Sequence, residues 1–405
     1  MPELIACCLL ALAAVGVFAL AAQGASVYRH LRTRPTSPTR SVPPISILKP
    51  LCGVDEDLEA NIACFATLPY PGEYELLLGV RDERDPAWPV ACRASFRWPR
   101  RVRAVLQQGA PGHNPKVNQL ITLARAAHHD LLVVSDSNAR VGPGYLNEIA
   151  GCFEDPSVGC VSNPVVGSGE RSLGALLDNL HLASSVGAGQ VSAKRLANRD
   201  LVVGKSMALR RGDLDALGGF EAFKDHLAED YIIGRAVTDT LHKRVVIARE
   251  PVHNVSRDRS TGNFFQRYIR WSVIHRTAIA RRTYLAQALL NPAPLAWIAA
   301  IVCPTWEAVL AALGITAAKT GLDVASASML RGGGFGARAL VAVPLKDVLL
   351  FLAWVNGLYT RTVSWRGNRL RVAEGSRLVS LESAPVASPV ETLQREEEPA
   401  HAHAA

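Results

Sequence analysis

Three aspartates stand beside short apolar runs, where an α/β chain presents polar side chains to a ligand. Asp82 follows Glu75–Val80 (ELLLGV), Asp136 follows Asp130–Ser135 (DLLVVS), and Asp230 follows Ala228-Glu229 at the head of an apolar helical stretch. A carboxylate so placed can hold a hard divalent cation, orient a polar ligand, or take a proton from a hydroxyl. Singly, each is more simply a strand-end or helix-capping residue. A fourth element is Gln266-Arg267-Tyr268-Ile269-Arg270-Trp271. On a helix Arg267, Arg270 and Trp271 share one face. Two guanidiniums and an indole make a clamp for a diphosphate and the face of a sugar or base. The same trio also suits a basic-aromatic belt ahead of a membrane helix.

Sugar transfer from a nucleotide donor would use all four elements. A divalent cation (Mg²⁺ or Mn²⁺) must neutralise the leaving diphosphate, and Asp136, with Asn138 as a neutral neighbour, offers oxygen for it. Asp82 could orient the uridine and ribose. Asp230 could take the proton of the attacking hydroxyl.

The elements that must position these groups alternate between Ile45 and about Ala248. Short apolar runs predict strands at Ile45–Leu48, Tyr74–Val80, Val102–Leu106, Leu131–Ser135, Val158–Val161, Leu201–Val203 and Val245–Ala248. Amphipathic stretches at Leu58–Leu68, Lys116–Ala127 and Arg171–Gln190 predict helices between them. This alternation gives an α/β domain around a mainly parallel sheet.

Both flanks are apolar. Ile5–Val27 carries no charge and is followed at once by Arg29, Arg32 and Arg34. A signal peptide has the reverse order, so the segment is expected to be an anchor, with the following domain in the cytoplasm. Thr283–Ala318 holds a single charged residue, Glu307, and is broken by Asn291-Pro292-Ala293-Pro294 and by Pro304. It predicts a tight hairpin, or one kinked span with an interfacial piece. Ala339–Thr360 is a further run with Lys346 and Asp347 inside it; such a pair must face protein or the interface. A cytoplasmic exit at Arg361–Arg371 requires an even number of crossings after the domain, and the apolar runs there number two or three. The expected organisation is an anchor with basic flank (1–34), a linker (35–44), a catalytic domain (45–282), a membrane region (283–371) and a disordered tail (372–405, Pro-, Ala- and Glu-rich from Ser383). The expected location is a membrane, multi-pass, of the bacterial inner-membrane type.

Composition agrees. Hydrophobic residues reach 49% against 20% charged, with net charge +8. The basic clusters border apolar runs, which suits membrane flanks and argues against a nucleic-acid partner. The eight cysteines form no CxxC pair and have no histidine at zinc-ligand spacing, so they are expected to be small apolar fillers.

Ordered along the chain are Ser46-Ile47-Leu48-Lys49-Pro50-Leu51 with Gly53-Val54-Asp55, then Val80-Arg81-Asp82 with Asp85-Pro86-Ala87. Asn114-Pro115-Lys116-Val117-Asn118, Asp136-Ser137, Ala228-Glu229-Asp230-Tyr231, Arg267-x-x-Arg270-Trp271 and Val363-Ser364-Trp365-Arg366 follow. Over about Pro44–Arg371 this series resembles the ceramide glucosyltransferase family, glycosyltransferase family 21, which includes bacterial hopanoid-pathway enzymes. The resemblance implies a GT-A (Rossmann-like) fold and inverting transfer of a hexose, glucose or N-acetylglucosamine, from a UDP-sugar to a lipid hydroxyl. It implies donor binding by Asp82, metal-diphosphate binding by Asp136, a catalytic base at Asp230, and donor or product contacts from Arg267, Arg270 and Trp271. Lys49 and Lys116 would lie near the nucleotide. Processive sugar polymerases carry Gln where this chain has Arg267, which favours single transfer. Animal members have a histidine in the stretch matching Ser184–Gly189, and this chain has none; His181 is near but out of place. The lipid is thus ceramide or, as the alternative, a hopanoid polyol. An inactive glycosyltransferase-like membrane scaffold is the reading from another class, against which the retained aspartates and Arg-Trp pair argue.

Overall fold

The computed structural model describes residues 1–36, 38, 42–365 and 368–380. Arg366, part of the expected linker and the tail from Ser383 lie outside the described residues. Helix α1 (Pro2–Leu31) is followed by β1 (Ile45–Pro50), α2 (Leu58–Ala66), β2 (Tyr74–Val80), α3 (Ala87–Arg97) and β3 (Val102–Leu106). Next come α4 (Pro115–Ala126), β4 (Leu131–Val134), β5 (Ala139–Arg140), α5 (Tyr145–Cys152), β6 (Val158–Ser162) and β7 (Val165–Ser168). Then follow α6 (Leu173–His181), α7 (Ala188–Ala197), β8 (Met207–Arg210), α8 (Arg211–Ala216), α9 (Glu229–Asp239), β9 (Arg244–Ile247), β10 (Val252–Val255) and α10 (Thr261–Ala278).

A seven-stranded sheet in the order β3-β2-β1-β4-β8-β6-β9 forms the centre. Its first four strands are parallel, and β8 enters antiparallel between β4 and β6. Strands β1, β2 and β4 are buried along their whole length. That explains why they are mostly apolar, since helices cover both faces of the sheet; the exceptions, Ser46, Lys49 and Glu75, are buried polar groups. The expected strand at Leu201–Val203 does not form. Val202 packs against Gly234 of α9, and the carbonyl of Leu201 accepts a hydrogen bond from Gln190. The strand in this region is β8. A smaller sheet, β5-β10-β7, closes one flank.

The helix expected over Arg171–Gln190 is interrupted. After α6 the chain takes a π-helical course through Leu182–Gly187 before α7. Gln23 of α1 donates to the Ser184 carbonyl there, at 2.8 Å, which pins the first helix to the α/β domain. His30 adds a second tie, 3.1 Å from the carbonyl of Ala248.

After α10 come α11 (Arg281–Ala286), α12 (Pro292–Val302), α13 (Trp306–Arg331) and α14 (Arg338–Tyr359). Among the described residues α1, α13 and α14 are long and apolar enough to cross a membrane. The segment Arg281–Leu290 and α12 form a pair bent by 80° at the proline-rich break. Gly16 of α1 lies against that break, where any side chain would fall on the Leu289 carbonyl. Large apolar side chains such as Phe18, Ile301 and Val341 point outward, a surface suited to lipid.

Beyond α14, β11 (Thr362–Trp365), β12 (Asn368–Val372) and β13 (Leu378–Ser380) form a three-stranded antiparallel sheet. It returns to the α/β domain. Leu227 N–H donates to the Ser376 carbonyl (2.9 Å), Leu378 N–H to the Asp225 carbonyl (2.7 Å), and Ala228 N–H to Ser376 Oγ (3.3 Å). The chain after the last long apolar helix thus braces the loop that leads into Glu229 and Asp230.

Candidate active site

The register of the central sheet brings the site together. Ile45 of β1 pairs with Tyr74 of β2 and with Leu131 of β4, so these strands end at one edge. Met207 of β8 pairs with Val134 antiparallel, so the residues preceding Met207 arrive at the end of β4. Asp136 lies there. Its Oδ1 is 3.0 Å from Lys116 Nζ and its Oδ2 is 2.9 Å from Lys205 Nζ. Burial pushes this carboxyl up, but the two ammoniums outweigh it and hold Asp136 well below the usual carboxylate range.

Lys116 owes its position to the start of α4. Asn114 caps the helix, its side chain accepting from Lys116 N–H and Val117 N–H, and Pro115 fills the first turn. Asn114 Nδ2 also donates to the His226 carbonyl and to Glu229 Oε2. Lys116 Nζ in turn bridges Asp136 and Glu229 Oε1, the latter at 2.8 Å. Lysine and carboxylates together lock α4, the end of β4 and the start of α9 to one another.

Asp230 sits in the first turn of α9. Its Oδ2 accepts from Gly204 N–H at 2.5 Å and its Oδ1 from Tyr231 N–H at 2.8 Å. Gly204 is required here, because a Cβ would stand 2.5 Å from Lys116 Nζ. Burial raises the Asp230 carboxyl above its ordinary value, with Lys116 pulling the other way. Glu229 is raised as well, again by burial.

A cavity of about 1490 Å³ opens over these groups. Lys116, Asp136, Lys205, Glu229 and Asp230 line one end, and Arg267, Arg270 and Trp271 of α10 line its wall. The trio expected to share a helix face does so, toward the cavity. Arg267 is buried and held by Asp178 of α6: Nη1 donates to Asp178 Oδ2 at 2.9 Å, while Tyr268 OH donates to Oδ1 at 2.8 Å. The Arg267 guanidinium also lies 5.1 Å from the Trp271 ring centre. Burial, and then the charge of Arg267, lower Arg270 to about 10.

Two expected site residues lie elsewhere. Asp82 is exposed on the loop after β2, its Oδ1 accepting from Arg84 N–H at 2.9 Å; the neighbouring Arg81, and not Asp82, lines the cavity. Lys49 is fully buried behind Asp136 and does not reach the cavity. Its Nζ donates to the Asp136 carbonyl at 2.6 Å and lies 3.9 Å from the Phe65 ring centre. Burial lowers it to about 7. It sets the backbone that carries Asp136. Asp85 is structural too, accepting from Gly53 N–H and Ala87 N–H.

Lys205 and His181 are cavity residues that the sequence reading did not select. Lys205 could have been found as a cation just ahead of the strand Met207–Arg210, had that strand been recognised. Lys205 Nζ also reaches Asn138 Oδ1 at 2.6 Å.

For a divalent cation the donor set is Asp136 with the nearby Asn138 amide oxygen. No cluster of three or more carboxylate, imidazole or thiol ligands forms among the described residues. One carboxylate, completed by substrate phosphates and water, is the mode Mg²⁺ adopts in nucleotide sites; here Lys116 and Lys205 face the Asp136 oxygens and Lys205 the Asn138 oxygen, so an ion would have to displace an ammonium to bind.

The sheet order, the acidic strand end and the basic helix meet over one cavity of an α/β fold. A solved structure shares it: mannosyltransferase PcManGT from Pyrobaculum calidifontis, in complex with GDP-Man and Mn²⁺, superposes with TM-score 0.51 at 19% identity. That match covers 89% of this chain and 99% of the other. The fold is GT-A. Ceramide glucosyltransferase 1 of Caenorhabditis elegans is 29% identical over 252 residues, 61% of this chain and 52% of that protein. Ceramide glucosyltransferase 3 of the same organism is 26% identical over 359 residues, 84% of this chain and 75% of that protein. The first match spans about half of that relative's length. The model of glycosyl transferase family 21 matches residues 8–378, and the chain belongs to that family.

Proposed function

We propose that the protein transfers a hexose, glucose or N-acetylglucosamine, from a UDP-sugar to the hydroxyl of a membrane lipid, with inversion at the sugar carbon. The observation that carries this reading is the single cavity. It joins the Asp136–Lys116–Lys205 charge centre and Asp230 to walls built by apolar helices. A water-soluble donor and a lipid acceptor can meet there. The names of the relatives favour ceramide as the acceptor; a hopanoid polyol keeps the same chemistry with another lipid.

In this reading the donor diphosphate lies between Asp136 and the α10 arginines. A divalent cation held by Asp136 supplies charge neutralisation of the leaving group when bound. Lys116 and Lys205 stand ready to donate to phosphate oxygens. Asp82, exposed on the loop next to the cavity-lining Arg81, is the residue this reading assigns to the nucleoside side of the donor. Asp230 accepts the acceptor's proton as its oxygen bonds to the sugar carbon; the bond from that carbon to the diphosphate breaks, and UDP leaves with the electron pair. Backbone N–H donors hold Asp230 without neutralising it, so it keeps lone pairs for the hydroxyl.

Two results are expected. Turnover in EDTA should fall to background and return on adding Mg²⁺ or Mn²⁺, while full turnover with metal verified as absent would remove Asp136 from this role. The pH dependence should also carry a sign. A base works deprotonated and Asp230 is raised, so kcat/KM should fall on acidification at a pH above the ordinary Asp value of about 4. Asp136, held low, stays ionised across that range. An acid limb at or below that ordinary value would count against Asp230.

The brace formed by β11–β13 also bears on topology. The chain leaves the domain after α10 and returns to it at Ser376. An even number of crossings between these points satisfies that, and α13 and α14 supply two if the bent pair enters without crossing. With the basic flank after α1, this supports a multi-pass protein whose catalytic domain is cytoplasmic.

A further inference from the structure

Deep in the same cavity lies a group of charges that the transfer chemistry does not use. Lys319 and Asp323 lie one turn apart on α13, and Lys346 and Asp347 are adjacent on α14. All four are at most 2% exposed. Asp323 Oδ2 accepts from both lysines, at 2.7 Å from Lys346. Asp347 Oδ1 also faces both, at 3.2 Å from Lys319 and 2.9 Å from Lys346. Two positive and two negative charges cancel, so the quartet is neutral as a unit.

Four ionisable residues in the middle of apolar helices are costly, and helix pairing alone needs none of them. Two observations separate the quartet from a purely structural knot. Lys319, Lys346 and Asp347 stand in the wall of the catalytic cavity. Asp347 Oδ2 is buried and has no hydrogen-bond partner among the described residues. A buried carboxylate oxygen left without a donor is expensive, and a ligand N–H or O–H would relieve that cost. His181, also in the cavity wall, has an unpartnered buried Nδ1 of its own. The ammoniums are charge-balanced by the two carboxylates. The atom left without a partner is a carboxylate oxygen, so the quartet lacks a hydrogen-bond donor, and being neutral it has no surplus charge to offset a phosphate.

We propose that this quartet is the acceptor subsite, with Asp347 Oδ2 accepting a hydrogen bond from a hydroxyl or amide N–H of an uncharged lipid acceptor. The proposal rests on the reading of the cavity as a site of sugar transfer to lipid. It selects neutral lipids with hydroxyl or amide groups against lipids with a phosphate head. Asp347 is a specificity residue here, remote from the bond that breaks.

The test uses the full chain in phosphatidylcholine nanodiscs, with N-hexanoylsphingosine and a bacteriohopane polyol as acceptor probes. Transfer to neither probe by the wild type would overturn the underlying reading, and the subsite with it. With the probe that is glycosylated, Asp347→Asn should raise the acceptor KM at least about tenfold. UDP affinity and acceptor-independent hydrolysis of the UDP-sugar should stay within about twofold of wild type. Asp323→Asn, which disturbs the same lysines but not the unpartnered oxygen, should lower thermal stability with a smaller change in acceptor KM. An unchanged acceptor KM in Asp347→Asn, or equal KM effects in the two variants, would overturn the subsite while leaving the transfer reading intact. If Asp347→Asn does not fold, competition on the wild type decides. A probe with its hydroxyl and amide N–H groups methylated should fail to inhibit, and inhibition equal to the parent lipid would overturn the proposal.

Discussion

Asp230→Asn is expected to abolish turnover while leaving UDP affinity nearly unchanged. The asparagine keeps the size of the side chain, and its amide oxygen can still accept from Gly204 or Tyr231 N–H, but it cannot take a proton. Loss of a positioned general base costs on the order of 10²–10⁴ in rate. Glu229 is the rival, adjacent in sequence and also in the cavity wall. Its two oxygens are committed, however: Oε1 to the Lys116 ammonium and Oε2 to the Asn114 amide. Glu229→Gln should therefore loosen Lys116 and reduce the rate by less than Asp230→Asn does. Turnover of both variants beside UDP titration decides between them. A dead Glu229→Gln with a near-normal Asp230→Asn would move the base by one residue.

Asp178→Ala is expected to be the most damaging change away from the reacting atoms. Asp178 is completely buried, and it receives Arg267, the Tyr268 hydroxyl and, at 3.3 Å, Arg259 Nε. Removing the carboxylate leaves the buried Arg267 guanidinium without its counter-charge. Breaking a buried pair in this way costs about 3–5 kcal/mol, a large share of a typical domain stability of about 5–15 kcal/mol. Thermal unfolding should shift down by several degrees, and donor affinity should fall as Arg267 turns from the cavity. Asp178→Asn, which keeps an oxygen for Tyr268 and loses only the charge, should lie between. A melting temperature and KM equal to wild type for Asp178→Ala would show that Arg267 is held by something else.

Much of this organisation could be read from residue order. β1, β2 and β4 are buried, mostly apolar runs, and a short apolar run bounded by turn signals is consistent with a buried strand. Leu201–Val203 failed that rule because three apolar residues meet their burial need in a loop, against Gly234, without any partner strand. β8 was missed for the complementary reason. It is short, ends in Arg210, and becomes a strand only because β4 and β6 flank it. The site shows the same division. Asp136, Asp230 and the α10 trio stand next to the elements that position them, so local sequence offered them as candidates, whereas Lys116 came only with the family resemblance. Lys205 depends on β8 running antiparallel to β4. The burial of Lys49, on β1, depends on Phe65 of α2 lying over its ammonium. The ionic quartet was legible as a warning, since Lys346 and Asp347 in an apolar run had to face protein. Their partners on α13 were not, because pairing of two distant helices leaves no mark in either one alone.

The central claim is that this cavity moves a sugar from UDP to a lipid hydroxyl. Its most direct test is to incubate the purified full chain with several labelled UDP-sugars, Mg²⁺ or Mn²⁺ and a crude membrane-lipid extract, then to analyse the lipids by mass spectrometry. A hexosylated neutral lipid carrying the label from one UDP-sugar should form with wild type and be absent with Asp230→Asn. Label found only in free sugar, or a labelled lipid formed equally well by Asp230→Asn, would contradict it.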